Sequence, residues 1–244
     1  MSSNDTIGGR SLKRKVLGLL KASDFDKSLN ELCRLPGRQV INPLFSFLLH
    51  ADHTVRWRAV AAMGAVMENL AHTDIEGART IMRRLMWSLN DESGGIGWGA
   101  PEVMGEAMAR HEGLADEYAS IITSYADENG NFLEYEALQR GLLWAFIRLS
   151  NSRPDLIRPA GTHIIKYLES NDAAVRGLAA RAVGLLGLEE AFHALRSLLE
   201  DDSEFDTNID YEPARFRVSD MAKQALSLLA GKDQEGLNSC KRDS

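Results

Sequence analysis

One pattern recurs five times in this chain and leaves little choice of architecture. The run Asp52-His53-Thr54-Val55-Arg56-Trp57-Arg58-Ala59-Val60-Ala61-Ala62-Met63-Gly64 returns most closely as Asp172-Ala173-Ala174-Val175-Arg176-Gly177-Leu178-Ala179-Ala180-Arg181-Ala182-Val183-Gly184. Pinned on the last residue, the copies end at Gly64, Gly105, Ile147, Gly184 and Ser227, at spacings of 41, 42, 37 and 43 residues. That is the period of stacked helical pairs. Residues not used to set the register test it. Val55 aligns with Ile96, Leu138, Val175 and Val218, and Ala59 with Ala100, Leu142, Ala179 and Ala222. Ala62 aligns with Val103, Ala145, Ala182 and Ala225, Met63 with Met104, Phe146, Val183 and Leu226, and Val66 with Ala107, Leu149, Leu186 and Leu229. All are apolar, and at helical periodicity they fall on one stripe, the inward face of an amphipathic helix. Small residues in two of the columns let a neighbouring backbone approach.

The pattern resembles that of the HEAT-like repeats of the phycobilisome-lyase type, whose second helix reads Asp-x-x-Val-Arg-x-x-Ala-x-x-Ala-Leu-Gly. Asp52, Val55, Arg56, Ala59, Ala62 and Gly64 match it, as do Asp172, Val175, Arg176, Ala179, Ala182 and Gly184. The other three copies keep the apolar columns and lose the Asp and Arg. The resemblance covers residues 37–230 and implies an all-α, right-handed α-solenoid of about five helix pairs. It also implies a protein-binding scaffold, since only some members of that family attach bilin chromophores.

The expected organisation follows chain order. Residues 1–10 read as a disordered N-terminus and 11–36 as capping helices, Leu12–Ala22 and Phe25–Leu35, that cover the exposed end of the first repeat. Repeats then occupy 37–72, 73–112, 113–152, 153–188 and 189–230, with a polar tail at 231–244. In the first repeat Asn42 is the expected N-cap, with Pro43 at the first helical position. Pro159 is expected to kink the helix that starts at Pro154. Ser219 is expected to cap the last helix.

Two insertions depart from a minimal repeat. The Gly-rich stretch Gly94–Gly99 lengthens the second turn and leads into a helix near Pro101. It lacks the Lys-Ser/Thr ending and preceding strand of a phosphate loop, so a widened turn is the expectation. Residues 201–218 exceed what a helix–helix turn needs, and alternation on both sides of Tyr211-Glu212-Pro213 predicts a small β-hairpin. Asp206-x-Asn208-x-Asp210 imitates the opening of a calcium loop, but Tyr211 stands where that loop requires Gly and Arg217 where it requires Glu.

Composition narrows function. A net charge of −7 disfavours binding along a nucleic-acid backbone. The two cysteines, Cys33 and Cys240, have neither metal-ligand nor disulfide-framework spacing, which fits a reducing cytoplasm. No run of about 18 apolar residues or signal-like start directs the chain to a membrane or to export. The six histidines form no His-x-x-x-His, and no nucleophile elbow is present, so neither a catalytic site, a metal nor a cofactor is expected.

Function is therefore sought on the face of each second helix opposite the apolar stripe, which lines the concave side of a solenoid. The Trp57 column holds Trp98, Arg140, Gly177 and Asp220, and the Ala61 column holds Glu102, Trp144, Arg181 and Gln224. With Glu106 and Arg148 alongside, and His111 at the margin, these residues predict a concave site centred on Trp57, Trp98, Glu102, Arg140, Trp144 and Arg181. Trp and Arg are the types that concentrate binding energy. Glu102 and Glu106, four residues apart, read as an exposed pair rather than an acid/base couple. The expected function is a non-enzymatic, cytoplasmic scaffold that binds a protein partner or segment. A small flat ligand is a further expectation at this site. The alternative is a chromophore- or cofactor-handling lyase-like protein or, further off, a helical-repeat DNA-repair enzyme.

Overall fold

The computed structural model describes residues 9–90, 97–208 and 213–240, the last nine of them as backbone. Two antiparallel capping helices, α1 (Gly9–Lys21) and α2 (Phe25–Arg34), precede five helix pairs. These are α3 (Gly37–Phe47) with α4 (His53–Thr73), α5 (Ile75–Leu89) with α6 (Ala100–Arg110), and α7 (Glu112–Ser124) with α8 (Glu136–Ser150). A broken first helix, α9 (Pro154–Ile157) and α10 (Gly161–Lys166), pairs with α11 (Ala173–Leu186), and the short α12 (Phe192–Ser197) pairs with α13 (Val218–Cys240). The chain is an all-α solenoid, and the one sheet among the described residues is the antiparallel hairpin β1 (Glu204–Asn208) and β2 (Pro213–Arg217), inserted before α13.

The inner layer runs α4, α6, α8, α11, α13, each second helix packed chiefly on the next. Of the aligned apolar columns, Ile96 lies outside the described residues, and every other member is buried except Leu226, which is partly so. The ends of the repeats explain themselves. Gly64 leaves the space that the Cγ of Glu106 fills, and a Cβ on Gly105 would stand 2.7 Å from the Cα of Ala145. A Cβ on Gly184 would stand 2.6 Å from the Cα of Ala225. The recurrent glycine is thus where consecutive inner helices touch most closely.

Side-chain caps set several helix starts. Asp52 accepts from the amides of Thr54 and Val55, Asp74 from Gly77, and Asp172 from Val175, each occupying donors that a first turn leaves open. Pro159 falls in a 3-10 turn between α9 and α10, where the ring's missing N–H interrupts the helix.

Five expectations are corrected. Asn42 does not cap α3. The helix begins at Gly37 because the carbonyl of Pro36 accepts from Gln39 and Val40, Pro43 lies inside it, and the Asn42 amide oxygen accepts from Arg84 Nη1 at 2.7 Å. Ser219 is not a cap either, for α13 starts at Val218, and the amides of Val218 and Ser219 are satisfied by the carbonyls of Ser203 and Asp201. The backbone of α13 continues past Gly231 to Cys240, where the sequence reading places a tail, and α1 takes in Gly9 and Arg10. Lastly, Glu102 and Glu106 are no exposed pair, for Glu106 is fully buried between two arginines and one carboxyl oxygen of Glu102 is enclosed.

Candidate functional site

Five of the eight residues picked out by the register come together. Trp57 on α4, Trp98 and Glu102 at the start of α6, and Arg140 and Trp144 on α8 line one cavity of about 120 Å³, with His53, Arg56, Val60, Gly99, Ala137, Gly141, Asp206 and Thr207. The tryptophans reach it from three successive repeats because second helices stack in register. Trp57 and Trp144 are tilted against each other with ring centroids 5.1 Å apart. Trp98 stands at the rim, 37% exposed and edge-on to Tyr135.

The hollow is not open as a bare concave surface would be. Strand β1 lies across it: Phe205 packs on Gly177 of α11, Asp206 and Thr207 form part of the cavity wall, and Trp144 Nε1 donates to the carbonyl oxygen of Asn208. Trp144 is accordingly only 2% exposed. Sequence reasoning predicts the hairpin without placing it over the site, since nothing in its alternation says which helices it will meet.

Charge around the cavity is mostly paired. Arg140 forks onto both carboxylate oxygens of Asp172, with Nε 3.0 Å from Oδ1. Asp206 is held across the hairpin by Arg215, at 2.8 and 3.1 Å. Arg56 places Nη2 3.0 Å from a ring nitrogen of His53, and its charge acts on the Glu102 carboxyl without a direct ion pair among the described residues. Glu102 is different. It sits in the first turn of α6 with its carboxyl against Gly141, where a Cβ would come within 2.6 Å of Oε2. Its Oε2 is enclosed and accepts no hydrogen bond. Some accessible surface remains, on the side that lines the cavity, but protein surrounds the group, and burial pushes its pKa up to about 7 against the weaker opposing pulls of its own amide and Arg56.

The other three lie elsewhere. Glu106, one helical turn beyond Glu102, accepts from Arg110 Nε at 2.5 Å and Arg148 Nε at 2.6 Å, and Arg110 also reaches Glu68 at 3.4 Å. This is an ionic clasp between α4, α6 and α8, outside the cavity. Arg181 approaches Gln224 at 3.5 Å on the next pair of helices, and its Nε is enclosed without a partner. His111 caps α7 by accepting from the Leu114 amide at 3.2 Å, beside His72. Missed by the register were His53, Arg56, Gly141 and the hairpin residues. The first two lie one turn before Trp57 and Val60 on the same helix face, a signal that was there to read.

Among the described residues no three His, Cys, Asp or Glu side chains gather as a metal site, and no helix is long and apolar enough to cross a membrane. No family model matches the chain. An uncharacterised protein of Archaeoglobus fulgidus is 33% identical over 89 residues, which cover 35% of this chain and 45% of that protein, so the match spans less than half of that relative's length. Among solved structures, a designed armadillo repeat protein aligns with 89% of this chain and 99% of its own at 19% identity and a TM-score of 0.50. A second, in complex with the peptide (KR)4, aligns over the same shares at 18% identity and a TM-score of 0.51. An engineered protein covers 90% of this chain and 96% of its own at 14% identity and a TM-score of 0.50. Likeness at this level of identity carries the fold and nothing finer: the chain is a helical-repeat solenoid.

Proposed function

We propose that the chain is a non-enzymatic repeat scaffold of the HEAT-like, phycobilisome-lyase type that captures a segment of a protein partner at the cavity lined by Trp57, Trp98 and Trp144. The observation that carries this reading is the convergence, from three repeats on one partly covered hollow, of three indoles and a carboxyl with one oxygen enclosed and without a donor. Indoles bury large area at little entropic cost, and an enclosed acceptor without a donor gains most from a ligand that supplies one. The designed armadillo protein bound to a peptide supports the same use of the fold, by analogy of architecture. A cavity of about 120 Å³ suits one inserted side chain. It falls short of the roughly 300–1,000 Å³ that encloses a cofactor-sized ligand, which counts against chromophore handling.

Peptides selected from a random library on the full chain test the proposal. Selected peptides should lose at least tenfold in affinity against Trp57→Ala and Trp98→Ala, with helical circular dichroism unchanged. Peptides that bind both variants as tightly as the parent would place recognition elsewhere and overturn it.

A further inference from the structure

Within that reading, the chemistry of the cavity says what kind of side chain it takes. We infer that it is a cation pocket, in which the indoles of Trp57, Trp98 and Trp144 and the carboxyl of Glu102, whose Oε2 accepts no hydrogen bond, receive one guanidinium or ammonium group from a basic residue of the partner.

Five charged or titratable groups face this space: His53 and Arg56 from α4, Glu102 from α6, Arg140 from α8 and Asp206 from β1. Arg140 is neutralised by Asp172 and Asp206 by Arg215. That leaves Glu102 and Arg56 to decide the sign of the ligand. Arg56 is only partly buried, already contacts the His53 ring, and keeps access to water. The Oε2 of Glu102 is enclosed with no donor at all, so the larger unmet demand lies on the anionic side. The walls agree, because the faces of indole rings attract cations and repel anions. So does the molecule as a whole, whose net charge of −7 draws a basic segment inward. The hairpin limits the occupant to one inserted group, since β1 already lies across the hollow and holds Trp144.

A pH signature follows. Burial raises the pKa of Glu102 to about 7, and the cation binds the ionised form. Below pH 7, binding must expel that proton. The affinity should therefore rise roughly thirtyfold from pH 5.5 to 8, following the ionised fraction of a group with a pKa of about 7.

The experiment uses the full chain carrying Trp87→Phe, which removes the exposed indole of α5, so that fluorescence reports the pocket. Four octapeptides are titrated, alternating serine with arginine, lysine, citrulline or glutamate, together with acetyl-arginine amide. The arginine or lysine peptide should bind at least tenfold tighter than the citrulline peptide, whose side chain has the same shape as arginine without the charge. Glu102→Gln should reduce the arginine peptide to the citrulline level and abolish the pH dependence. Arg56→Ala, which removes the opposing charge, should tighten binding. The pH profile should keep its shape in His53→Gln. Citrulline or glutamate peptides binding as tightly as arginine would overturn the cation pocket and leave the peptide-binding scaffold standing. Indifference of the arginine peptide to Glu102→Gln would do the same. No binding by any of the four peptides would overturn the cation pocket, whereas a random library that yields no binder would overturn the scaffold as well. Acetyl-arginine amide binding as tightly as the octapeptide would overturn the assignment of the cation to a protein partner.

Discussion

Glu102 and Glu106 stand one turn apart on the same helix, the first partly and the second fully buried, and each faces α8. Glu106 lies between Arg110 and Arg148 with both oxygens engaged, in space that the glycine of the preceding repeat leaves open. Glu102 lies against Gly141 with one oxygen engaged by nothing. The same residue type in the same helix thus meets opposite fates. A buried carboxylate with two guanidinium partners fastens helices together, whereas a buried carboxyl with none costs stability and persists where a ligand can complete it. The contrast separates the structural half of the inner face from the half we assign to recognition.

The largest effect should come from breaking the first half. Glu106→Gln removes the carboxylate that lies between Arg110 and Arg148, two partly buried guanidiniums, and leaves Arg110 its longer contact to Glu68, so it should cost about 3 kcal/mol of unfolding free energy. Urea denaturation measures it. A loss below about 1 kcal/mol would mean that the two arginines are served well enough by water and Glu68, and the clasp would no longer differ from the pocket.

Next comes the residue between them. Gly105→Ala puts a Cβ 2.5 Å from the Cβ and 2.7 Å from the Cα of Ala145, which is backbone and cannot swing away, so about 1–3 kcal/mol should be lost. Gly141→Ala meets the Glu102 carboxyl at 2.6–2.8 Å, the end of a flexible side chain with a cavity beside it, and should cost less. If the two cost the same by thermal denaturation, Glu102 is as rigidly held as the clasp.

These positions also show what the sequence could and could not disclose. The five-fold register placed the apolar columns inward correctly, because burial of a helical stripe follows from spacing alone. It brought Trp57, Trp98, Glu102, Arg140 and Trp144 onto one face for the same reason. It could not separate Glu102 from Glu106. What distinguishes them is Arg110 four residues on and Arg148 a repeat away, against Gly141 and its missing side chain. Nor could it place Arg181, whose column is right but whose repeat lies beyond the cavity. Trp144 was read as presented to a partner, and it is covered because a hairpin of unforeseeable direction lies on it. The start of α3 was misplaced because Asn42-Pro43 is a good cap signal that a better-placed Pro36 carbonyl overrides.

Glu102→Gln should act in the opposite sense to Glu106→Gln, and only above a certain pH. A carboxyl whose pKa is raised by folding, here to about 7, stabilises the fold most below its unfolded value near 4.3, and this contribution is lost as pH climbs through about 7. The wild type should therefore weaken between about pH 4.5 and 7 relative to the Gln variant, which has no proton to lose. Discounted for the partial access of the side chain through the cavity, the gain in the variant at pH 8 should be about 2 kcal/mol, with none at pH 4. Equal stability of the two proteins across that range would mean that Glu102 ionises freely, and the contrast with Glu106 would collapse.

Arg140→Ala should have the smallest effect on folding and so tests the boundary between the two halves. Its guanidinium is half exposed and forks onto Asp172, the residue that also caps α11. Exposed ion pairs of this kind contribute about 0–1 kcal/mol, whereas the cap itself contributes about 1 kcal/mol. Asp172→Ala should therefore destabilise the protein more than Arg140→Ala, and a double-mutant cycle between them should return less than about 1 kcal/mol of coupling. A coupling of several kcal/mol would make this pair a second clasp like that of Glu106. The rim of the cavity would then have to be counted with the scaffold rather than with the site.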